Sequence, residues 1–166
     1  MLPVDVHALP DGVHHRTLHP SAADLEIDPE TFDDIVVDLR LDVAGRRIVA
    51  QFEVRATATL RCDRTLVNFE QPVAGTHAVL FAPPEQLPGG ASDDALLLTD
   101  EAATIELAAP VRDTLVLSLP VRRVAPGAED VEIPTAFGAV TDDDGRPVDP
   151  RWDALRQLRD APGDDQ

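Results

Sequence analysis

Ile35-Val36-Val37-Asp38-Leu39-Arg40-Leu41-Asp42-Val43, then Ala44-Gly45, then the run from Arg47 to Leu60, decides the fold of this 166-residue chain. In the first run Ile35, Val37, Leu39, Leu41 and Val43 alternate with Val36, Asp38, Arg40 and Asp42. Successive side chains of a strand point to opposite faces, so this period of two predicts a strand with one buried face. Ala44-Gly45 offers a tight connection, because glycine adopts positive φ without a Cβ clash. The second run repeats the pattern at greater length. Ile48, Ala50, Phe52, Val54, Ala56, Ala58 and Leu60 fall on one face, with Arg47, Gln51, Glu53, Arg55, Thr57 and Thr59 on the other. A long β-hairpin follows.

Downstream of the hairpin, Cys62 keeps the apolar parity, which reads as a half-buried residue at a strand end. Residues 66–73 and 77–81 predict two further strands. Pro83-Pro84 ends the sheet, and the chain to Asp94 reads as a loop rich in Pro, Gly and acid. Residues 95–98 and 104–107 are short apolar runs, either of which could add an edge strand. Beyond Leu107 the period changes. Val111, Leu115 and Leu119 recur every fourth residue with Val116 alongside, which predicts a central helix. Pro110 suits its first turn and Pro120 stops it.

The flanks are plainer. The first thirty residues read as loops, with at most a helical turn where Ser21 stands three residues before Asp24. Residues 126–147 read as a loop that includes Asp142-Asp143-Asp144-Gly145. Asp149-Pro150 predicts the start of a C-terminal helix with Trp152, Leu155 and Leu158 as its apolar stripe. The expected class is α+β and β-rich: an antiparallel sheet or partly open barrel with a central and a C-terminal helix. One domain would occupy residues 1–160, with a flexible tail over 161–166.

Charge sets the next constraint. The 31 acidic residues outnumber 14 basic ones, all of them Arg, for a formal net charge of -17. Such a field repels phosphates at low salt, but screening shortens it to about 3 Å in molar salt. Two readings stand: an acidic surface for a basic partner or in imitation of nucleic acid, or adaptation to a salty host cytosol. With one cysteine there is no intramolecular disulfide and no multi-cysteine zinc site. The sequence holds no apolar run of the ~20 residues a membrane helix needs. A cytoplasmic protein that does not engage membranes is expected.

Several of these pieces occur, in this order, in one family. Arg61-Cys62-Asp63-Arg64-Thr65-Leu66 resembles the Cys-x-Arg-Cys-Leu pattern of the YceD-like family. Ile105-Glu106-Leu107, Val111-Arg112-Asp113 and Leu117-Ser118-Leu119-Pro120 are similar to its central helix ending in Leu-x-Leu-Pro. Asp149-Pro150-Arg151-Trp152 with Leu155 and Leu158 resembles its closing helix. The resemblance spans residues 35–158. It implies a bacterial cytoplasmic protein needed for accumulation of large-subunit (23S) ribosomal RNA. Many members carry a cysteine pair in the first motif and more cysteines after Leu-Pro, a set suited to tetrahedral zinc. Here Thr65 replaces the second cysteine and residues 121–138 contain none, so no metal is expected. Residues 133–138 would pack that corner with apolar groups.

Cys62 has no His nearby in sequence to serve as a base. Arg61 and Arg64 could contact phosphate or pair with neighbouring acids. His14, His15 and His19 invite a metal reading, but adjacent His residues diverge on most backbones. Asp142 to Gly145 lacks the remaining ligands of a calcium loop. There is no phosphate loop, nucleophile elbow or zinc-protease helix. No enzyme activity and no cofactor are therefore expected. The expected function is an accessory factor in large-subunit rRNA accumulation that binds a pre-ribosomal particle, a ribosomal protein or the rRNA. The candidate binding residues are Arg61, Arg64, Arg122, Arg123, Arg151 and Arg156. The alternatives are an acidic module for a basic partner unrelated to ribosomes, and a metal-dependent nuclease that processes rRNA.

Overall fold

In the computed structural model, residues 1–87, 90–92, 94–98 and 104–131 are described. The chain divides into a unit Met1–Glu129 and a unit Asp130–Gln166. Of the second unit only residues 130 and 131 are described. The predicted C-terminal helix, the acidic run 142–144, the segment 133–138 and Arg151 and Arg156 lie outside the described residues.

The hairpin forms as the alternation requires. Strand β3 (Phe32–Ala44) pairs antiparallel with β4 (Arg47–Arg61), Leu39 opposite Phe52 and Leu41 opposite Ala50. Gly45 turns the chain at φ 58°. β3 begins earlier than the alternation shows, because an irregularity between Asp33 and Val36 resets the pleat. Before that point the period of two is lost and the sequence signal vanishes with it.

Four expectations are corrected. Residues 1–30 are not all loop: β1 (Pro3–Asp5) and β2 (Gly12–Leu18) lie there. β2 escapes the pattern because it is an edge strand held to β3 by its backbone, with none of its side chains fully buried. The turn at Ser21–Asp24 has the reciprocal capping bonds without a helix. Ser21 N–H and Oγ–H donate to Asp24 Oδ2, and Asp24 N–H donates to Ser21 Oγ. The two strands expected over 66–81 are a single strand, β5 (Asn68–Ala82), paired with β4 without a break. Gly75 falls in the gap between the two expected runs. Finally, the sheet is not wholly antiparallel: β6 (Ala95–Leu97) runs parallel to β5.

The resulting open sheet has the order β2-β3-β4-β5-β6, so it is not a closed barrel. A separate two-stranded sheet joins β1 to β7 (Thr104–Glu106). Helix α1 (Ala108–Leu117) buries Val111 and Leu115 against the inner face of the sheet. Leu119 falls just beyond it, partly buried against the core. Gly75 lies under this helix. A Cβ there would sit 2.6 Å from Thr114 Cγ2 and 3.3 Å from Thr114 O, so the strand must present a bare backbone to let α1 approach.

The core between sheet and helix is built from Val, Leu, Ile, Phe and Ala, with no buried polar or charged residue among the described residues. The outer face is polar and laced by cross-strand pairs. Arg55 bridges Asp38 and Glu53, and Arg40 reaches Asp42 and Gln51. The Asp38 carboxyl is held below its ordinary range, first by the Thr17 hydroxyl and then by Arg55. These pairs are half exposed, so solvent and salt screen them and each adds little to stability.

Candidate partner-binding corner

β4 ends at Arg61 and the chain reverses through residues 62–67 into β5. Two backbone bonds close this turn: Cys62 N–H donates to Val67 O (2.9 Å) and Leu66 N–H to Cys62 O (2.9 Å). The closure puts Leu66 at φ 59°, a left-handed conformation that is strained for a residue with a Cβ. Leu66 and Val67 both stay exposed, at 60% and 61%. Arg61 bends back so that Nε–H donates to Leu66 O (3.1 Å).

The segment after α1 is clamped onto this turn. Asp63 N–H donates to Arg123 O (2.7 Å), Arg123 N–H to Asp63 Oδ2 (2.8 Å), and Ala125 N–H to Cys62 Sγ (3.3 Å). Asp63 is thereby spent on backbone. Arg61, Arg122 and Arg123 are exposed, Arg64 is half-buried, and Val121 projects fully into solvent. Four of the six arginines named from sequence thus lie on the two segments that meet at this corner. Next to it a depression of about 390 Å³ is lined by Asp28, Glu30, Asn68, Arg61 and Arg123. Asp28 is engaged internally, accepting from the Thr31 hydroxyl and the Glu30 amide, which hold its carboxyl below the ordinary range.

Cys62 is fully buried, not half-buried, because the 121–125 segment covers it. The Ala125 amide is the largest influence lowering its thiol pKa to about 7, followed by the Thr65 hydroxyl; burial works the other way. The tetrahedral thiolate set of the resemblance does not fit here. The Thr65 hydroxyl donates a hydrogen bond to the sulfur, and the Thr65 and Arg64 amides add to it. Hydrogen bonds to sulfur hold this corner.

This arrangement makes stability depend on pH with a definite sign. The folded-state pKa is about 7 against an ordinary 9.0, so between these values the unfolded chain binds more protons. The contribution is present above about pH 9 and is lost as pH falls through about 7. Urea midpoints of the native chain should therefore rise from pH 7 to 9 relative to those of Cys62→Ala. Parallel profiles for the two proteins would refute the assignment.

The histidines do not converge. His14 and His15 lie on opposite faces of β2, across from Leu41 and Arg40, and His14 Nε2 lies 2.8 Å from Pro10 O. Among the described residues no three His, Cys, Asp or Glu side chains gather to hold a metal. None of the described helices is long and apolar enough to cross a membrane. Sequence reasoning missed the role of Asp63 and Ala125. Nothing local signals a clamp between segments some sixty positions apart.

Comparison with curated proteins and with solved structures gives no match. The family described as large ribosomal RNA subunit accumulation protein YceD matches residues 50–159, a stretch that includes most of β4, all of β5 and α1, and the clamped turn. With the match covering well over half of its length, the chain belongs to the YceD family of large ribosomal RNA subunit accumulation proteins.

Proposed function

We propose that this protein is a non-enzymatic, cytoplasmic accessory factor in the accumulation of large-subunit ribosomal RNA. It acts by binding a pre-ribosomal partner through the corner formed by residues 61–67 and 121–125. The observation that supports this most is the gathering of Arg61, Arg64, Arg122 and Arg123 in a chain of net charge -17. Guanidinium groups beside the exposed Leu66, Val67 and Val121 suit an interface, where arginine and apolar anchors concentrate.

Depletion followed by measurement of the large- to small-subunit rRNA ratio tests the role. The expected result is a selective fall in large-subunit RNA, restored by the native chain but not by an Arg61→Glu, Arg122→Glu, Arg123→Glu triple variant. An unchanged ratio and subunit profile would overturn the reading.

One observation favours a second reading. Asp24, Glu26, Asp28, Glu30, Asp33 and Asp34 are all exposed within eleven positions, which suits a basic partner outside the ribosome. Pulldown in high salt separates the two by whether ribosomal proteins and pre-rRNA are recovered.

A further inference from the structure

Among the described residues, strand β5 has an open edge beside a groove. β6 covers it only at Leu80, Phe81 and Ala82. Leu80 N–H donates to Asp94 O (2.8 Å) and Ala82 O accepts from Leu98 N–H (2.8 Å), so the even-numbered residues direct their backbone groups away from β4. The register with β4 is unbroken from Phe81 to Asn68, which carries this parity down the strand. Ala78, Thr76 and Ala74 therefore offer N–H and C=O groups to an edge that no strand covers among the described residues. Pro72 belongs to the same set. Its missing N–H deprives β4 of nothing, which explains a proline inside a fifteen-residue strand.

Alongside this edge runs a groove of about 750 Å³ between α1 and β6. Leu96, Pro110, Val116 and Leu117 give it apolar walls, and Leu117 is 83% exposed. Its charged groups lean acidic. Arg112 is taken up by Asp113 and, at 3.9 Å, by Glu26, while Asp94 faces His77 at 3.3 Å and stays largely exposed.

We infer that this edge and groove receive an extended, basic segment of a partner protein. Its backbone pairs with Ala74, Thr76 and Ala78, its alternate apolar side chains enter the groove, and its cations meet Asp94 and the acidic field of the chain. Edge pairing supplies attachment, and the groove selects side chains at every second position. The acidic field makes the association fast and sensitive to salt. A polyanion such as RNA is disfavoured at this face by the same charge. The inference rests on the proposed binding role only in supposing a protein partner. Its test does not read rRNA levels, so either reading can fail alone.

The probe is a labelled ten-residue peptide of alternating valine and lysine, followed by fluorescence anisotropy with the full chain. Saturable binding that weakens with salt is expected. Ala78→Pro removes one edge donor at a position of the same parity as Pro72. Leu117→Glu alters the groove at a side chain the fold does not bury. Each should weaken binding by about tenfold while leaving the thermal transition in place. The same peptide N-methylated at alternate residues, and a valine–glutamate peptide, should not bind. The inference is overturned if the N-methylated or glutamate peptide binds equally well, or if both variants bind like the native chain. It is also overturned if Ala78→Pro changes the molecular mass of the free protein in solution, since the occupant would then be a second copy of this chain.

Discussion

Gly75→Ala lowers stability by about 1–3 kcal/mol, although alanine is compatible with a strand and nothing polar is lost. The added Cβ would stand 2.6 Å from Thr114 Cγ2, closer than carbon atoms approach, so the Thr114 side chain, α1 or β5 has to shift. Movement is expensive here because α1 carries Val111 and Leu115, both fully buried, into the core. A second substitution isolates the cause. Thr114→Ser removes Cγ2 and keeps the hydroxyl that donates to Pro110 O at 2.7 Å. Combined with Gly75→Ala it should recover part of the loss, the remainder reflecting the Thr114 carbonyl at 3.3 Å. A double-mutant cycle on urea midpoints reads this coupling directly. Strict additivity of the two changes would mean that helix and strand do not meet at this point.

Leu115→Ala is expected to have the larger effect, about 2–5 kcal/mol. Leu115 has no exposed surface, and its side chain is the lower anchor of α1 on the sheet. For a chain of this size each kcal/mol moves the melting temperature by roughly 2–4 °C. Val116→Ala provides the control one residue away. Val116 is 47% exposed and lines the groove, so its truncation should change stability by less than ~0.5 kcal/mol. Thermal melts followed by circular dichroism would test the pair. Similar losses for both would show that α1 is not seated by the Val111–Leu115 face.

The sequence made the hairpin legible because β3 and β4 each have one dry face and one wet face, which writes a period of two into the residues. The helix was legible for the same reason, from Val111 and Leu115 at four-residue spacing. β2 was not, because an edge strand is held by backbone groups and its exposed side chains carry no pattern. β5 reads as two strands because Gly75 falls between the runs 66–73 and 77–81, and the demand of the helix above it is not visible along the strand itself. At the corner, the arginines and Cys62 could be singled out from charge and motif. Their convergence depends on Asp63 meeting Arg123, a tertiary contact with no local trace.

The β1–β7 pair bears on how the chain assembles. It joins Val4 to Ile105, whereas β4 and β5 are joined through the short turn at residues 62–67. From the open chain, closing a loop of roughly a hundred residues in place of one of about six adds about 2–3 kcal/mol of lost entropy. That difference shrinks once the hairpins of the five-stranded sheet have drawn the intervening chain together. The favoured order therefore begins at the two turns flanking β4 and ends with β1. Glu106 then serves as the latch, because its carboxylate accepts from both Leu2 N–H and the first amide of α1 at Ala108.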